Sequence, residues 1–305
     1  MRIVTPCYRG RFAPSPTGPL HFGSLVAAVA SHADARSQHG EWLVRIEDVD
    51  QSRARPDAER QILEALHAFG MHSDSPPVRQ SGRVTLYDAA LHSLAQRELA
   101  YRCSCGRRRI AELGRPGREG PIYPGTCRVT PPAPYINSAW RVIVDGEPIA
   151  FEDRVLGPIV QDLIAEIGDF VIRRLDGYTA YQLAVVVDDE AQGITHVVRG
   201  ADLLWSTPRQ IRLQRLLGYR TPNYAHIPLV YGTDGHKLSK RDNAHPADPG
   251  QPMNGLRAAW LHLGQTDPPA EIRDVDAFWR WATRHWDIHR VPREQGPLNE
   301  PPDSL

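Results

Sequence analysis

Lysine is nearly absent from this 305-residue sequence: of 36 lysines and arginines together, only Lys237 and Lys240 are lysine. Sulfur is scarce too, with four cysteines and three methionines. So few cysteines in so long a chain exclude a disulfide-stapled scaffold, and stability must come from a core, for which the 41% hydrophobic content suffices. No apolar run approaches the roughly 20 residues of a membrane-spanning helix, and Met1 to Tyr8 lacks the apolar centre of a signal peptide. An excess of either charge is also missing. Thirty-six basic and 36 acidic residues give a formal net charge of zero, which excludes a uniformly basic nucleic-acid binder. An RNA partner would have to meet local clusters such as Arg107-Arg108-Arg109. What remains is a soluble, cytoplasmic protein of one large or two modest domains.

The two lysines stand together in His236-Lys237-Leu238-Ser239-Lys240-Arg241, behind the loop-forming Gly232, Asp234 and Gly235. A compact ammonium on a long stem suits a phosphate whose charge moves during reaction. A second organising stretch runs from Arg9 to Leu25. Arg9 to Ala13 can extend as a strand; Pro14, Pro16, Gly18 and Pro19 then break regular structure, and a helix begins at Leu25 and runs to about Gln38. Such a strand–loop–helix turn aims backbone N–H groups and a helix dipole at an anion. His21 and Ser24 add side-chain donors, and Gly23 admits a flat ligand. A nucleotide fits there.

Trp42 to Ile46 is a short apolar strand with Glu47, Asp48 and Asp50 at its carboxyl end, where ligands bind in parallel sheets. Glu47 there either holds an amino group or caps the helix that follows near Pro56. Ile62, Leu63, Leu66 and Phe69 mark an amphipathic helix ended by Gly70, and another runs from Val84 to Leu99. Trp140 to Val144 and Phe170 to Arg174 read as strands, as does Tyr181 to Val187 with Asp188 and Asp189 at its end. Thr195 to Arg199 is one more, before a helix from about Trp205 to Leu217. Pro246 to Pro252 is a linker to a helix at Leu256 to Leu263. A second helix carries Val275, Phe278 and Ala282 on one face, and a disordered tail starts at Glu294.

Cys103, Cys105 and Cys127 cluster while Cys7 stands apart, a pattern that in a cytoplasmic chain indicates metal rather than disulfides. Three thiolates need one more donor for tetrahedral zinc. Tyr123 is either that donor or a buried aromatic, and residues 114–121 between the ligands look like a flexible insert.

Together, Arg11-Phe12-Ala13-Pro14-Ser15-Pro16-Thr17-Gly18, Arg45-Ile46-Glu47-Asp48-Val49-Asp50, Gln80-Ser81 with Arg83 and Tyr87, Val198 to Leu203, and Lys237-Leu238-Ser239-Lys240-Arg241 resemble the glutamate and glutamine branch of the class I aminoacyl-tRNA synthetases. His21 to Ser24 stands where that family has its "HIGH" signature, with Ser24 in place of the second histidine, and the lysine segment stands for "KMSKS". Cys-x-Cys with Tyr-x-x-x-Cys resembles the zinc site of the glutamyl-queuosine tRNA(Asp) group within the branch, making Tyr123 the fourth ligand of a structural zinc. Only 64 residues follow Arg241 in the chain of 305, which is similar to that truncated group and shorter than full glutamyl-tRNA synthetases.

The resemblance implies an α/β fold: a Rossmann-type parallel sheet in a discontinuous catalytic domain (residues 1–102 and 178–242), a zinc-bearing α+β insertion (103–177) and a helical C-terminal segment (243–305). It implies glutamate bound by Arg11, Phe12, Ala13, Pro14, Ser15, Glu47, Tyr181 and Arg199, with both arginines facing negative charge and Glu47 facing the ammonium. ATP, with Mg2+, would lie on His21, Gly23, Ser24, Lys237, Ser239 and Lys240, and His21 and Lys240 would be catalytic. The expected reaction is activation of L-glutamate and transfer to queuosine in tRNA(Asp) by a monomer. Charging of tRNA(Glu), or RNA binding without catalysis, are the alternatives.

Overall fold

The structure, a computed structural model, describes residues 8–231 and 247–293, so Lys237, Ser239, Lys240 and the expected tail from Glu294 lie outside it. β1 (Arg9–Phe12) is followed by α1 (Phe22–Ser37) and by β2 (Glu41–Ile46), which pairs parallel with β1 from Arg9 opposite Glu41 to Phe12 opposite Val44. α2 (Ala58–Ala68) buries Ala58, Ile62, Ala65 and Leu66, at helical spacing, and leaves Arg60 and Glu64 in water. It stops at Gly70, whose φ of +67° falls in the region that glycine adopts without strain. β3 (Val78–Arg79) then adds a short parallel strand beside the end of β2, and α3 (Val84–Gln96) follows.

The next stretch separates the two halves of the parallel sheet. It comprises β4 (Ala100–Cys103), α4 (Arg107–Leu113), β5 (Pro116–Gly117), β6 (Gly120–Pro121), α5 (Thr126–Val129), β7 (Ala139–Val142), β8 (Ile149–Asp153), β9 (Gly157–Gln161), α6 (Leu163–Glu166) and β10 (Phe170–Arg173). β10, β7 and β4 form an antiparallel sheet. The segment expected to be a flexible insert is the β5–β6 hairpin. Arg118 pairs with Glu166 (2.8 Å) and lies 3.8 Å above the Trp205 ring, while Arg209 donates to Glu119 at 2.8 Å.

The chain re-enters through α7 (Tyr181–Ala191), β11 (His196–Gly200), α8 (Thr207–Leu217) and β12 (Asn223–Ile227). β11 and β12 pair parallel, the Thr195 N–H donates to the Arg9 carbonyl at 2.9 Å where β11 comes beside β1, and the β8–β9 hairpin joins the far side of β12. Tyr181 to Val187 is therefore helical, not the expected strand. Leu183 to Asp189 is buried throughout, and a helix enclosed on every side has no polar face to reveal its period, while three consecutive valines imitate a strand.

Two C-terminal helices, α9 (Pro252–His262) and α10 (Val275–His285), cover α1 from the side away from the sheet. That sandwiching explains why α1 is rich in alanine and buried from Leu25 to Ala35 apart from Ala27. Trp260 packs edge-on against Phe278 at 5.7 Å between ring centroids, Trp279 donates to the Phe69 carbonyl (2.8 Å), and Trp286 donates to the buried Asp34 carboxylate (3.0 Å). Among the described residues, no helix is long and apolar enough to cross a membrane.

Candidate active site

A cleft of about 680 Å³ opens at the carboxyl ends of β1, β2, β11 and β12. The proline-rich turn after β1 forms one wall. It is tied down where the Glu47 N–H donates to the Pro14 carbonyl (3.0 Å) and the Arg55 N–H to that of Pro16 (2.9 Å). His21 caps α1: its Nδ1 accepts from the Ser24 N–H at 3.2 Å, and its Nε2 lies 2.9 Å from Ser24 Oγ. The start of α1, with its unsatisfied N–H groups, thus borders the cleft. Arg11, Phe12, Ala13, Pro14, Ser15, His21, Gly23, Ser24, Glu47, Tyr181 and Arg199, all expected from the sequence, line this one space. The Phe12 ring is largely committed to the core, stacked 6.3 Å from Trp42.

Under the cleft lies a closed charge network. Arg11 reaches Asp189 through Nε to Oδ1 (3.1 Å) and Nη2 to Oδ2 (3.4 Å). Arg45 donates to Asp189 Oδ1 and Gln192 Oε1, both at 2.8 Å, and approaches Glu47 Oε1 at 3.4 Å. Gln80 and Tyr87 each donate to Asp188 Oδ2 at 2.7 Å, and Arg83 donates to its other oxygen. Three guanidiniums thus meet three carboxylates. Asp188 and Asp189 stand on the last turn of α7, where the helix dipole disfavours negative charge, so they depend on these partners. Burial works against the Asp189 charge, yet Arg11 and Arg45 hold its carboxyl below the usual range. Burial pushes Glu47 up, with Arg45 and Arg11 opposing and Asp189 adding to the rise. A carboxylate so placed, whose contact with Arg45 is long at 3.4 Å, gains from a cationic ligand.

Arg199 is held differently. Its Nε donates to His226 Nε2 (3.1 Å), and its Nη2 donates to Thr207 Oγ1 (2.8 Å) and Gln210 Oε1 (2.9 Å). Nη1 is 3.5 Å from the Tyr181 hydroxyl at the cleft wall. Among the described residues no carboxylate pairs with this guanidinium, so its charge is available to a ligand in the cleft. Burial raises the Tyr181 phenol, keeping it a hydrogen-bond donor.

The cysteine cluster lies elsewhere, at the end of β4 and the start of α5. The Sγ atoms of Cys103, Cys105 and Cys127 lie within 4.8 Å of one another. Tyr123 Oη is 3.4 Å from Cys103 Sγ and 3.7 Å from Cys105 Sγ, and Cys105 and Cys127 are 3.5 Å apart. A tetrahedral zinc with its usual bond lengths separates its donors by about 3.5–3.8 Å, and these three separations, 3.4, 3.7 and 3.5 Å, come close to that spacing. Although burial opposes it, hydrogen bonds from Tyr123 and the Ser104 backbone lower the Cys127 thiol to about 7. Arg141 donates to Cys103 Sγ (3.3 Å), and its guanidinium sits 4.0 Å from the Tyr123 ring centre, offsetting the negative charge of such a donor set.

The family described as tRNA synthetases class I (E and Q), catalytic domain, matches residues 8–251. The chain belongs to the class I tRNA synthetases of the glutamate and glutamine branch. It is 52% identical over 294 residues to the glutamyl-Q tRNA(Asp) synthetase of Aromatoleum aromaticum, covering 95% of this chain and 92% of that one. Against the protein of the same name in Dechloromonas aromatica it is 52% identical over 290 residues, covering 94% and 96%. Among solved structures, the glutamate-tRNA synthetase of Elizabethkingia anophelis superposes with a TM-score of 0.78 at 26% identity, over 95% of this chain and 68% of that one.

Within this synthetase fold, sequence reasoning had no route to Gln192 or His226, and none to the role of Arg45. Arg45 entered only as the first residue of a motif shared with the family, with no role attached, and His226 is a lone histidine in an apolar strand, a pattern more typical of core packing. Asp188 and Asp189 carried a signal, two adjacent acids after a valine run, but the strand reading placed them at the end of a strand rather than on the last turn of a helix.

Proposed function

We propose that this protein activates L-glutamate with ATP and transfers the glutamyl group to queuosine at the wobble position of tRNA(Asp). One observation carries the amino-acid assignment: a buried guanidinium, Arg199, whose described partners are all neutral, shares a cleft with Glu47, a largely enclosed carboxylate whose contact with Arg45 is long at 3.4 Å. A zwitterion with an extra carboxylate satisfies both. Arg199 and the Tyr181 hydroxyl take the side-chain carboxylate, Glu47 takes the ammonium, and Arg11, partly neutralised by Asp189, adds hydrogen bonds. Phe12, Ala13, Pro14 and Ser15 shape the wall.

ATP lies over His21, Gly23 and Ser24 at the start of α1, with Mg2+ on its phosphates. An oxygen of the glutamate α-carboxylate bonds to the α-phosphorus, the bond to the bridging oxygen breaks, and pyrophosphate leaves. His21 and Lys240, with Lys237 and Ser239, stabilise charge on the phosphates as it shifts. A hydroxyl of the queuosine cyclopentenediol then attacks the activated carbonyl and AMP leaves. The nucleic-acid partner is supported by the names of relatives sharing about half of this chain's residues. The four donors at Cys103, Cys105, Tyr123 and Cys127 hold one zinc whose contribution is folding energy, since four protein ligands leave no open position. Residues 1–102 and 178–242 act as the catalytic domain, 103–177 as the zinc-bearing insertion and 243–305 as helical support, in a cytoplasmic monomer.

ATP–pyrophosphate exchange tests the amino-acid step. Exchange driven by glutamate, with little response to glutamine or aspartate, is the expected result; exchange indifferent to glutamate would contradict the proposal.

A further inference from the structure

Arg199 and His226 face each other across the β11–β12 ladder, in register. His226 is fully buried, with Nδ1 2.6 Å from Asp153 Oδ2 and Nε2 3.1 Å from Arg199 Nε. A guanidinium only donates, so the Nε2 it meets must present a lone pair, and the ring proton must then sit on Nδ1 and be donated to Asp153. Asp153 is itself fixed at the turn after β8, where its Oδ1 accepts from the N–H groups of Val155 and Leu156 at 3.0 Å and of His226 at 3.2 Å. Three elements thus converge in one line of hydrogen bonds, from Asp153 on β8 through His226 on β12 to Arg199 on β11.

We propose that His226 is a positioning residue for the substrate site, a neutral acceptor that orients Arg199 toward the cleft while leaving its charge for the ligand, with Asp153 fixing the tautomer. The substrate part rests on the reading that Arg199 receives a glutamate carboxylate. The comparison with Arg11 gives the physical reason. Asp189 orients Arg11 by pairing with it, which consumes attraction an anionic ligand could use. At Arg199 the same geometric task falls to an imidazole, Thr207 and Gln210, all neutral, and the nearest carboxylate in the line stands one ring further back. Burial, reinforced by the Arg199 charge, lowers His226 to about 4 despite Asp153, so the ring stays neutral at physiological pH. Without His226, the Arg199 Nε–H loses its acceptor and the guanidinium can turn away from Tyr181.

The test compares His226→Phe, which keeps a ring but no acceptor, with His226→Gln, whose amide oxygen can stand near the position of Nε2. KM values for glutamate and ATP are read in pyrophosphate exchange, beside thermal melting. His226→Phe is expected to raise the glutamate KM about tenfold or more with the ATP KM within about twofold, and His226→Gln to recover most of the loss. A glutamate KM within about twofold for His226→Phe, or equal losses for both substrates and both variants, would overturn the proposal. If His226→Phe does not fold, ring-nitrogen NMR on the unmodified protein decides: a proton on Nδ1 and none on Nε2 supports the relay, and the opposite tautomer or an imidazolium at neutral pH overturns it. Exchange by the unmodified protein that ignores glutamate would defeat the glutamate reading instead, while the ring-nitrogen signals still report on the contact with Arg199.

Discussion

Replacing Asp189 with asparagine removes one negative charge from a place nearly closed to water, the residue being 5% exposed. Arg11 is 3% exposed and Arg45 0%, and both rest on this carboxylate. The variant leaves three guanidiniums facing two carboxylates. Stranding a buried charge by deleting its partner costs about 3–5 kcal/mol, and the remaining amide oxygen, still an acceptor, places the expected loss near the lower end, about 3 kcal/mol. Urea unfolding followed by tryptophan fluorescence should show it as a lower midpoint at unchanged slope. Adding Arg11→Met restores the balance of charge, so the double variant should be more stable than Asp189→Asn alone, with a coupling energy above about 1 kcal/mol. The effect also has a pH signature. The Asp189 carboxyl is lowered in the folded protein, so the folded state holds fewer protons at that group than the unfolded chain. Its stabilisation is therefore complete above the ordinary carboxylate value, about 3.9, and is lost as pH falls through the lowered one, where the gap between protein and variant should close. A loss below about 1 kcal/mol, or strict additivity with Arg11→Met, would refute the network as the anchor of the cleft.

Chelation should lower the melting temperature before it alters exchange per folded molecule, and zinc-free protein that stays folded but loses the chemical step would contradict a structural role. Tyr123→Phe keeps the ring under Arg141 and deletes only the oxygen, so it should release zinc faster to a competing chelator; unchanged release would remove Tyr123 from the ligand set. Lys240→Ala should reduce kcat in exchange by about 100-fold or more with little change in glutamate KM, and equal losses in both would speak against transition-state stabilisation. Trp260→Ala should cost about 3–5 kcal/mol through the cavity left between α1, α9 and α10, measured by urea unfolding, and a loss under about 1 kcal/mol would mean those helices do not brace α1.

Local chemistry was readable where a residue's role is set by its immediate neighbours in the chain. The prolines at 14, 16 and 19 break the strand where the structure breaks it, His21 lies at the helix start, and Glu47 follows directly after β2. Cys103, Cys105 and Cys127 were readable from their clustering alone. Long-range partners were not. Arg141 reaches the sulfur cluster from 38 residues away, and Asp189 meets Arg45 across 144. No periodicity records such distances. α7 deceived for a related reason: its valines and alanine are buried by α3, α8 and β10 on different sides, so the pattern that separates helix from strand was erased by tertiary packing. His226 is the extreme case, a single polar residue whose meaning appears only once β8, β11 and β12 are side by side.

The most direct measurement offers labelled glutamate, ATP and the purified protein three RNAs: tRNA(Asp) with queuosine, the same tRNA without it, and tRNA(Glu). Label on the first alone is the predicted result. Label on tRNA(Glu) would make the protein a minimal glutamyl-tRNA synthetase, and label on none, together with exchange that ignores glutamate, would contradict the enzymatic reading altogether.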